Sequence, residues 1–183
     1  HTLFTDLKFR VVLSPRSSKK IYEKGIESIP SESVCYPAKL SHGHIESLIE
    51  KGIKYIFYPS VAYERKENIT QGNHYNCPVV TSYPEVIRNN VDNLETNEII
   101  FRNPFMDLSN RKTMFTNLKD EFKSFGISDK ELKAAIEHAY EELQQCRLDI
   151  QGEGEKVLSY LKENNMTGVV LSGRPYLSLI HIS

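Results

Sequence analysis

The sequence predicts an α/β fold with a three-layer, mainly parallel sheet. Two observations predict it: short β-branched or aromatic runs end at proline or serine, and segments with helical spacing of apolar residues separate these runs. A third observation is that long amphipathic patterns replace the short ones after residue 104. We therefore expect most of the strands before that point and a long helical segment at about 105–164 after it.

Strand and helix patterns alternate along the first part of the chain. Strands are predicted at 9–13, 54–58, 78–81 and 98–101, with a further strand at 167–171. Helical spacing and capping residues predict helices at 19–24, 34–51 and 84–94. Because parallel strands need crossover connections, this order is typical of a Rossmann- or flavodoxin-like sheet. The apolar residues of 61–76 show neither the spacing of a helix nor the alternation of a strand, so we expect a long loop there.

Two long helices are predicted in the second part, at 108–125 and 128–164. Ser128 and Glu131 have the spacing of a capping box, which marks the start of the second helix. Gly152 and Gly154 are candidates to interrupt that helix. Its apolar stripe includes a cysteine, Cys146, which we predict to lie in the core.

The length of 183 residues suits one domain with its own core. We expect residues 1–176 to form a single α/β domain that includes the helical segment. The chain begins inside an apolar pattern without a methionine, which favours a fragment of a longer protein. The abrupt change after Tyr176 leads us to interpret 177–183 as a non-native tail.

Composition excludes several function classes. The formal net charge is -1, from 23 basic and 24 acidic residues, so the basic surface that a nucleic-acid binder needs is missing. The sequence has no apolar run of about 18 residues, which disfavours a membrane partner and favours a cytoplasmic protein. An odd number of cysteines, three, favours free thiols in a reducing compartment over a disulfide scaffold.

The candidate chemistry centres on Cys35 and Cys77. In an open parallel sheet, ligands bind at the C-terminal edges of the strands. Ser60 and Cys77 are predicted near such edges, and Cys35 is predicted at a helix start that faces the same way. A helix N-terminus favours thiolate, the form that ligates iron or acts as a nucleophile. The alternative is that both cysteines are small buried hydrophobes, and without a Cys-x-x-Cys pair the spacing alone favours that alternative.

Other polar residues accompany the cysteines. His42 and His44 are two positions apart, so they lie on different faces of a helix and are poorly placed to share a metal ion. The loop with Glu64, Arg65 and His74 is dense in polar and aromatic groups. We weigh a solvated loop and a binding loop equally.

Several strings resemble the acyl-CoA dehydratase activase-related family. They are Pro30-Ser-Glu-Ser-Val-Cys35-Tyr-Pro-Ala-Lys39, His42-Gly-His44, Ile56-Phe-Tyr-Pro59, Tyr63-Glu-Arg-Lys-Glu67 and His74-Tyr-Asn-Cys77-Pro-Val-Val-Thr-Ser-Tyr-Pro-Glu85. More distantly, the chain is similar to subunits of 2-hydroxyacyl-CoA dehydratases. The resemblance spans about residues 1–176, and it identifies the uncharacterised domain DUF2229 of CoA-substrate-specific enzyme activases.

The resemblance implies 4Fe-4S cluster binding and electron transfer to a 2-hydroxyacyl-CoA dehydratase-like partner, with an ATPase activase module elsewhere in the full-length chain. It makes Cys35 and Cys77 the candidate metal ligands, and it places Ser60 where related sequences often have a third cysteine. Candidate cofactor-binding residues in the same strings are Lys39, His42, His44, Glu64, Arg65 and His74. Two alternatives stay open: a metal-free domain that docks the activase onto its dehydratase, and a CoA-ester binding module.

Overall fold

The computed structural model describes residues 1–66, 70, 72 and 74–170. Within this part, contacts divide the chain into two compact units. One unit comprises residues 12–126, and the other comprises 1–11 and 127–170. The mixed α/β character that the sequence predicts is confirmed, although helix predominates and the strands are short.

The elements follow one another in this order. The helices are α1 (Thr2–Asp6), α2 (Lys19–Lys24), α3 (Tyr36–Glu50), α4 (Pro78–Asn90), α5 (Asn93–Thr96), α6 (Arg111–Phe122) and α7 (Asp129–Glu163). The strands are β1 (Tyr55–Phe57), β2 (Ser60–Tyr63), β3 (Ile100–Arg102) and β4 (Phe105–Asp107). Single 3-10 turns occupy Ile26–Ser28 and Lys123–Phe125.

The strands of the 12–126 unit form one interrupted parallel ribbon. β1 pairs with β3 and β2 pairs with β4, both in parallel. Pro59 and Pro104 separate the two pairs, because proline has no N–H group for the ladder. Two hydrogen bonds join them: the Tyr58 amide donates to the Arg102 carbonyl (2.8 Å), and the Ser60 amide donates to the Pro104 carbonyl (3.0 Å).

Helices cover both faces of this ribbon. On one face, Ile56 lies in a buried cluster with Ile45 of α3, Ile87 of α4 and Leu94 of α5. On the other face, the Phe57 ring stacks on Phe122 of α6 with centroids 6.3 Å apart. The unit is therefore mixed α/β, with helices packed against its two short pairs of parallel strands. The broad parallel sheet that the sequence predicts is not formed by the described residues.

Three predicted strands are wrong. Residues 9–13 have no regular structure, and Leu13 is 69% exposed. Residues 78–81 form the first turn of α4, because Pro78 suits the start of a helix. Residues 167–170 form no strand, and Val169 and Val170 are 96% and 89% exposed, whereas Leu171 lies outside the described residues. β propensity does not make a strand where no neighbouring strand buries it.

Most helix predictions are confirmed with shifted boundaries. α2, α3, α6 and α7 lie where the sequence places them, and Ser128 and Glu131 form the predicted capping box. The predicted helix at 84–94 starts earlier, at Pro78, and breaks after Asn90. The glycines at 152 and 154 do not interrupt α7. The predicted loop at 61–76 is partly strand, since β2 runs to Tyr63 and Tyr63 bridges to Tyr75.

The second unit consists of α1 packed on the first turns of α7. Leu3 is buried, and so are Leu132, Ile136 and Tyr140 of α7. Beyond Tyr140 the apolar side chains of α7 are exposed, except for the half-buried Leu161. Cys146 is exposed as well, so its predicted place in the core is wrong. α1 is only five residues long, so it covers only one part of the apolar stripe of α7. Among the described residues, each helix is too short or too polar to cross a bilayer.

Two glycines allow α3 to approach α2 closely. A Cβ atom at Gly43 would lie 1.7 Å from the carbonyl oxygen of Ile21. A Cβ atom at Gly25 would lie 2.2 Å from the Gly43 amide nitrogen. Both values are far below van der Waals contact, and the obstructing atoms are backbone, which moves only if the helices separate.

We expect Gly43→Ala to lower the free energy of unfolding by about 3 kcal/mol or more, because the added methyl group must push α2 away from α3. Thermal and urea unfolding followed by circular dichroism measure the change. The matched control is Gly154→Ala in α7, where a Cβ would meet nothing within 4 Å. This control should raise stability by about 0.5–1 kcal/mol, since alanine favours helix over glycine. Equal effects of the two substitutions would contradict the close approach.

Candidate thiol site at the C-terminal edge of the sheet

Cys35 and Cys77 occupy equivalent positions. Each is the N-cap residue of a helix, α3 and α4 respectively, and each of these helices has proline in its first two positions. Cys35 is exposed and Cys77 is half-buried. The alternative that both are buried hydrophobes is therefore wrong for Cys35.

The chain direction places both cysteines toward one edge of the sheet. α3 leads into β1, and α4 leads through α5 into β3. The C-terminal end of each helix is therefore connected to the N-terminal end of a strand, and the start of each helix lies toward the opposite end of the strands. A hydrogen bond supports this placement for Cys77: the Thr81 hydroxyl, one helical turn after Cys77, donates to the Val61 carbonyl of β2 (3.2 Å). The two helix starts therefore lie toward the C-terminal edge, where parallel sheets bind ligands.

Ser60 lies inside the sheet. It is the first residue of β2, pairs in register with Phe105 and is 5% exposed. α4 packs against β2, the strand that Ser60 begins. A serine hydroxyl is a poorer iron ligand than a thiolate.

Cys35 and Cys77 are the two thiols toward this edge, and the third cysteine of the sequence, Cys146, lies on α7 in the other unit. A 4Fe-4S cluster is held by four cysteine thiolates. Among the residues that the structure describes, no group of three or more His, Cys, Asp and Glu side chains is arranged to hold a metal ion. A cluster at this edge would therefore need thiolates from outside this sequence.

His42 is buried completely and bonded on both sides. Its Nδ1 atom is 2.8 Å from the Ser28 hydroxyl, and its Nε2 atom is 3.0 Å from the Tyr83 hydroxyl. Ser28 also donates to the Gly25 carbonyl (3.1 Å). A neutral imidazole that donates from Nδ1 and accepts at Nε2 satisfies all three bonds. Burial accordingly lowers the pKa of His42 to about 4.

Tyr83 links this histidine to the cysteine edge. Burial raises the pKa of Tyr83 to about 12, and the neighbouring Cys35 and Tyr58 add to the increase. Tyr58 is 3.3 Å from the Ser41 hydroxyl, between their oxygen atoms. Tyr83, Tyr58 and Ser41 are site residues that the sequence patterns did not predict. Extending the helix pattern back to residue 78 would have placed Tyr83 on the apolar stripe with Ile87 and Val91, which are also buried.

The other two candidates on α3 point elsewhere. The Nε2 atom of His44 is 3.0 Å from the Ser17 hydroxyl, its Nδ1 atom is buried without a hydrogen-bond partner, and burial lowers its pKa. Lys39 donates to the Glu32 carbonyl (2.6 Å) and so fixes the turn before Cys35. His42 and His44 contact different segments and do not form a joint metal site.

The candidate binding loop folds back on β2. The Glu64 amide donates to the His74 carbonyl (2.9 Å), and the Asn76 side chain donates to the Glu64 carboxylate (3.0 Å). The ring of His74 lies 6.0 Å from Tyr63 and 5.8 Å from Tyr75, between centroids. Its Nδ1 atom is buried without a hydrogen-bond partner among the residues that the structure describes. Arg65 is half-buried. Glu64 and His74 are thus brought together just before Cys77.

We expect the stability of the 12–126 unit to fall by about 2 kcal/mol between pH 7 and pH 5 through His42 alone. Its pKa is lower in the folded state than in the unfolded state, so its stabilising effect is full above pH 6.5 and is lost as the pH falls toward 4. Urea unfolding of His42→Gln and the unsubstituted chain at both pH values measures the difference. The control is His138→Gln, because Asp6 raises the pKa of His138 and gives the opposite sign. An unchanged pH slope in His42→Gln would refute this account.

Comparison with known proteins agrees with the resemblance seen in the sequence. The family model described as "CoA enzyme activase uncharacterised domain (DUF2229)" matches residues 1–181. Neither a curated protein nor a solved structure shows significant similarity to the chain. Because the family model covers nearly the whole chain, the chain belongs to the DUF2229 family of CoA enzyme activase domains.

Proposed function

We propose that this domain donates Cys35 and Cys77 to a 4Fe-4S cluster through which an activase passes an electron to a 2-hydroxyacyl-CoA dehydratase-like partner. The observation that carries the proposal is the paired placement of the thiols at the starts of neighbouring helices. A helix N-terminus stabilises a thiolate and the negative charge of a cluster, so both positions suit iron ligation.

The exposure of Cys35 supports a shared cluster. Two thiolates come from this domain, and four are needed. An exposed thiol is accessible to a cluster whose other ligands belong to a neighbouring domain or partner. A cluster supplies one-electron chemistry when it is bound, and a position between two protein surfaces shortens the path for the electron. Ser60 is the candidate third ligand position, as the resemblance implies.

The second candidate function is a metal-free domain that docks the activase onto its dehydratase. It is favoured by the serine at position 60 and by the half-complete ligand set. The two functions differ in what the thiols do. Docking without metal should survive the loss of both thiols, whereas cluster binding should not.

We expect anaerobic reconstitution with iron and sulfide, in the presence of dithiothreitol as a source of extra thiolate ligands, to load iron onto the unsubstituted chain. The double variant Cys35→Ala/Cys77→Ala should lose nearly all of it. Cys146→Ala is the matched control and should keep its iron, because Cys146 lies on exposed α7 in the other unit. Iron and sulfide assays and the visible charge-transfer absorbance are the readouts.

A gain-of-ligand variant sharpens the same experiment. Ser60→Cys should raise iron retention after gel filtration if position 60 lies within reach of the cluster. No iron in the unsubstituted chain, or equal iron in the double variant, would overturn the cluster proposal. In that case, capture of a purified 2-hydroxyacyl-CoA dehydratase by the double variant would support the docking function.

A further inference from the structure

A cleft of about 540 Å³ lies on the face of the sheet that α6 covers. Its lining includes Tyr55 at the start of β1, Ile100 and Arg102 of β3, and residues of α6 and the following turn. This volume is within the range of small-molecule sites. The cleft faces away from α3 and α4 and begins at the N-terminal end of β1, so it is separate from the thiol edge. None of the site residues predicted from the sequence lines this cleft.

The hydroxyl of Tyr55 is the unusual group in this cleft. It is buried and has no hydrogen-bond partner among residues 1–66, 70, 72 and 74–170. Nearly all buried polar atoms in proteins are hydrogen-bonded, because an unpaired one loses its bonds to water without replacement. Burial and the nearby Glu121 raise the pKa of Tyr55 against the opposing effect of Arg102, so the hydroxyl keeps its proton and can donate it.

A second donor lies beside this hydroxyl. The Nε atom of Arg102 donates to the Glu121 carboxylate (2.6 Å). Within the part of the chain that the structure describes, this bond leaves the two Nη groups of Arg102 as donors for a ligand. A guanidinium offers several N–H groups that match a carboxylate. Asp120 and Lys123 also line the cleft. Its two acidic and two basic side chains balance, which disfavours a highly charged ligand such as a polyphosphate.

The remaining walls are apolar and partly open. Ile100 is 56% exposed and Phe125 is 45% exposed, so both present apolar surface to the cleft opening. The Phe125 ring meets Tyr55 edge-on with centroids 5.6 Å apart. Phe125 ends a one-turn 3-10 segment before Gly126, whose φ of 71° allows the chain to turn away.

We propose that this cleft binds a small monocarboxylate with a short apolar body, which accepts hydrogen bonds from Tyr55 and Arg102 and packs on Ile100 and Phe125. The carboxylate satisfies the buried hydroxyl, and the apolar body covers the two exposed side chains. This site is independent of the cluster, so each proposal can fail without the other.

The test is a titration of the isotope-labelled chain with sodium hexanoate, followed by NMR, with hexanamide as the uncharged control ligand. We expect saturable shifts of the Tyr55, Ile100 and Phe125 signals with hexanoate and at least fivefold weaker binding of hexanamide. Tyr55→Phe should weaken hexanoate binding by about ten- to a hundredfold, the worth of one hydrogen bond to a charged group.

The unfolding temperatures provide a second measurement. Without ligand, Tyr55→Phe should raise the melting temperature by about 2–4 °C, because it removes an unpaired buried hydroxyl. The matched control, Tyr58→Phe, removes a hydroxyl that is bonded to Ser41 and should lower the melting temperature without changing hexanoate binding. Absence of saturable shifts, equal binding of hexanamide, or unchanged affinity in Tyr55→Phe would overturn the proposal.

Discussion

One imidazole determines how the helices around the thiol edge are arranged. His42 is buried completely, bonds Ser28 on one side and bonds Tyr83 of α4 on the other. The next residue, Gly43, permits backbone contact with α2. A larger residue at position 42 would push α3 away from α4, and a larger residue at position 43 would push α3 away from α2. The His42–Tyr83 hydrogen bond joins α3 to α4. This bond therefore also fixes the positions of the two N-cap residues, Cys35 of α3 and Cys77 of α4, relative to the sheet.

The same arrangement explains why the polar network lies inside the core. A neutral histidine between two hydroxyl groups has every donor and acceptor paired, so its burial avoids the cost of an orphaned polar group. Tyr83 keeps its proton at neutral pH for the same reason, with its pKa raised to about 12. The network is therefore uncharged near pH 7.

Local rules predicted the helices well and the sheet poorly. Capping residues and apolar spacing lie within one element, so Ser18, Ser128 and the stripe of α3 identify their helices directly. A parallel strand exists only if a distant segment pairs with it. The run at 9–13 has the composition of a strand and lacks that neighbour, whereas 54–58 has one in β3. Cys146 shows the same limit, because an apolar stripe is buried only as far as its partner α1 extends.

The candidate site shows a similar division. The sequence placed Cys35 at a helix start, which is correct. It placed Cys77 near a strand edge before a predicted strand at 78–81, where the structure has the first turn of α4 instead. Local patterns could not predict the His42–Tyr83 hydrogen bond or the Tyr55 cleft, because both join residues more than 40 positions apart. Tyr55 and Tyr58 illustrate the point. Tyr55 begins β1 and Tyr58 directly follows its end, and both carry the same hydroxyl. Within the part of the chain that the structure describes, α3 presents Ser41 to Tyr58, whereas the Tyr55 hydroxyl has no hydrogen-bond partner. A candidate binding site is thus found where the packing leaves a buried polar group without a hydrogen-bond partner.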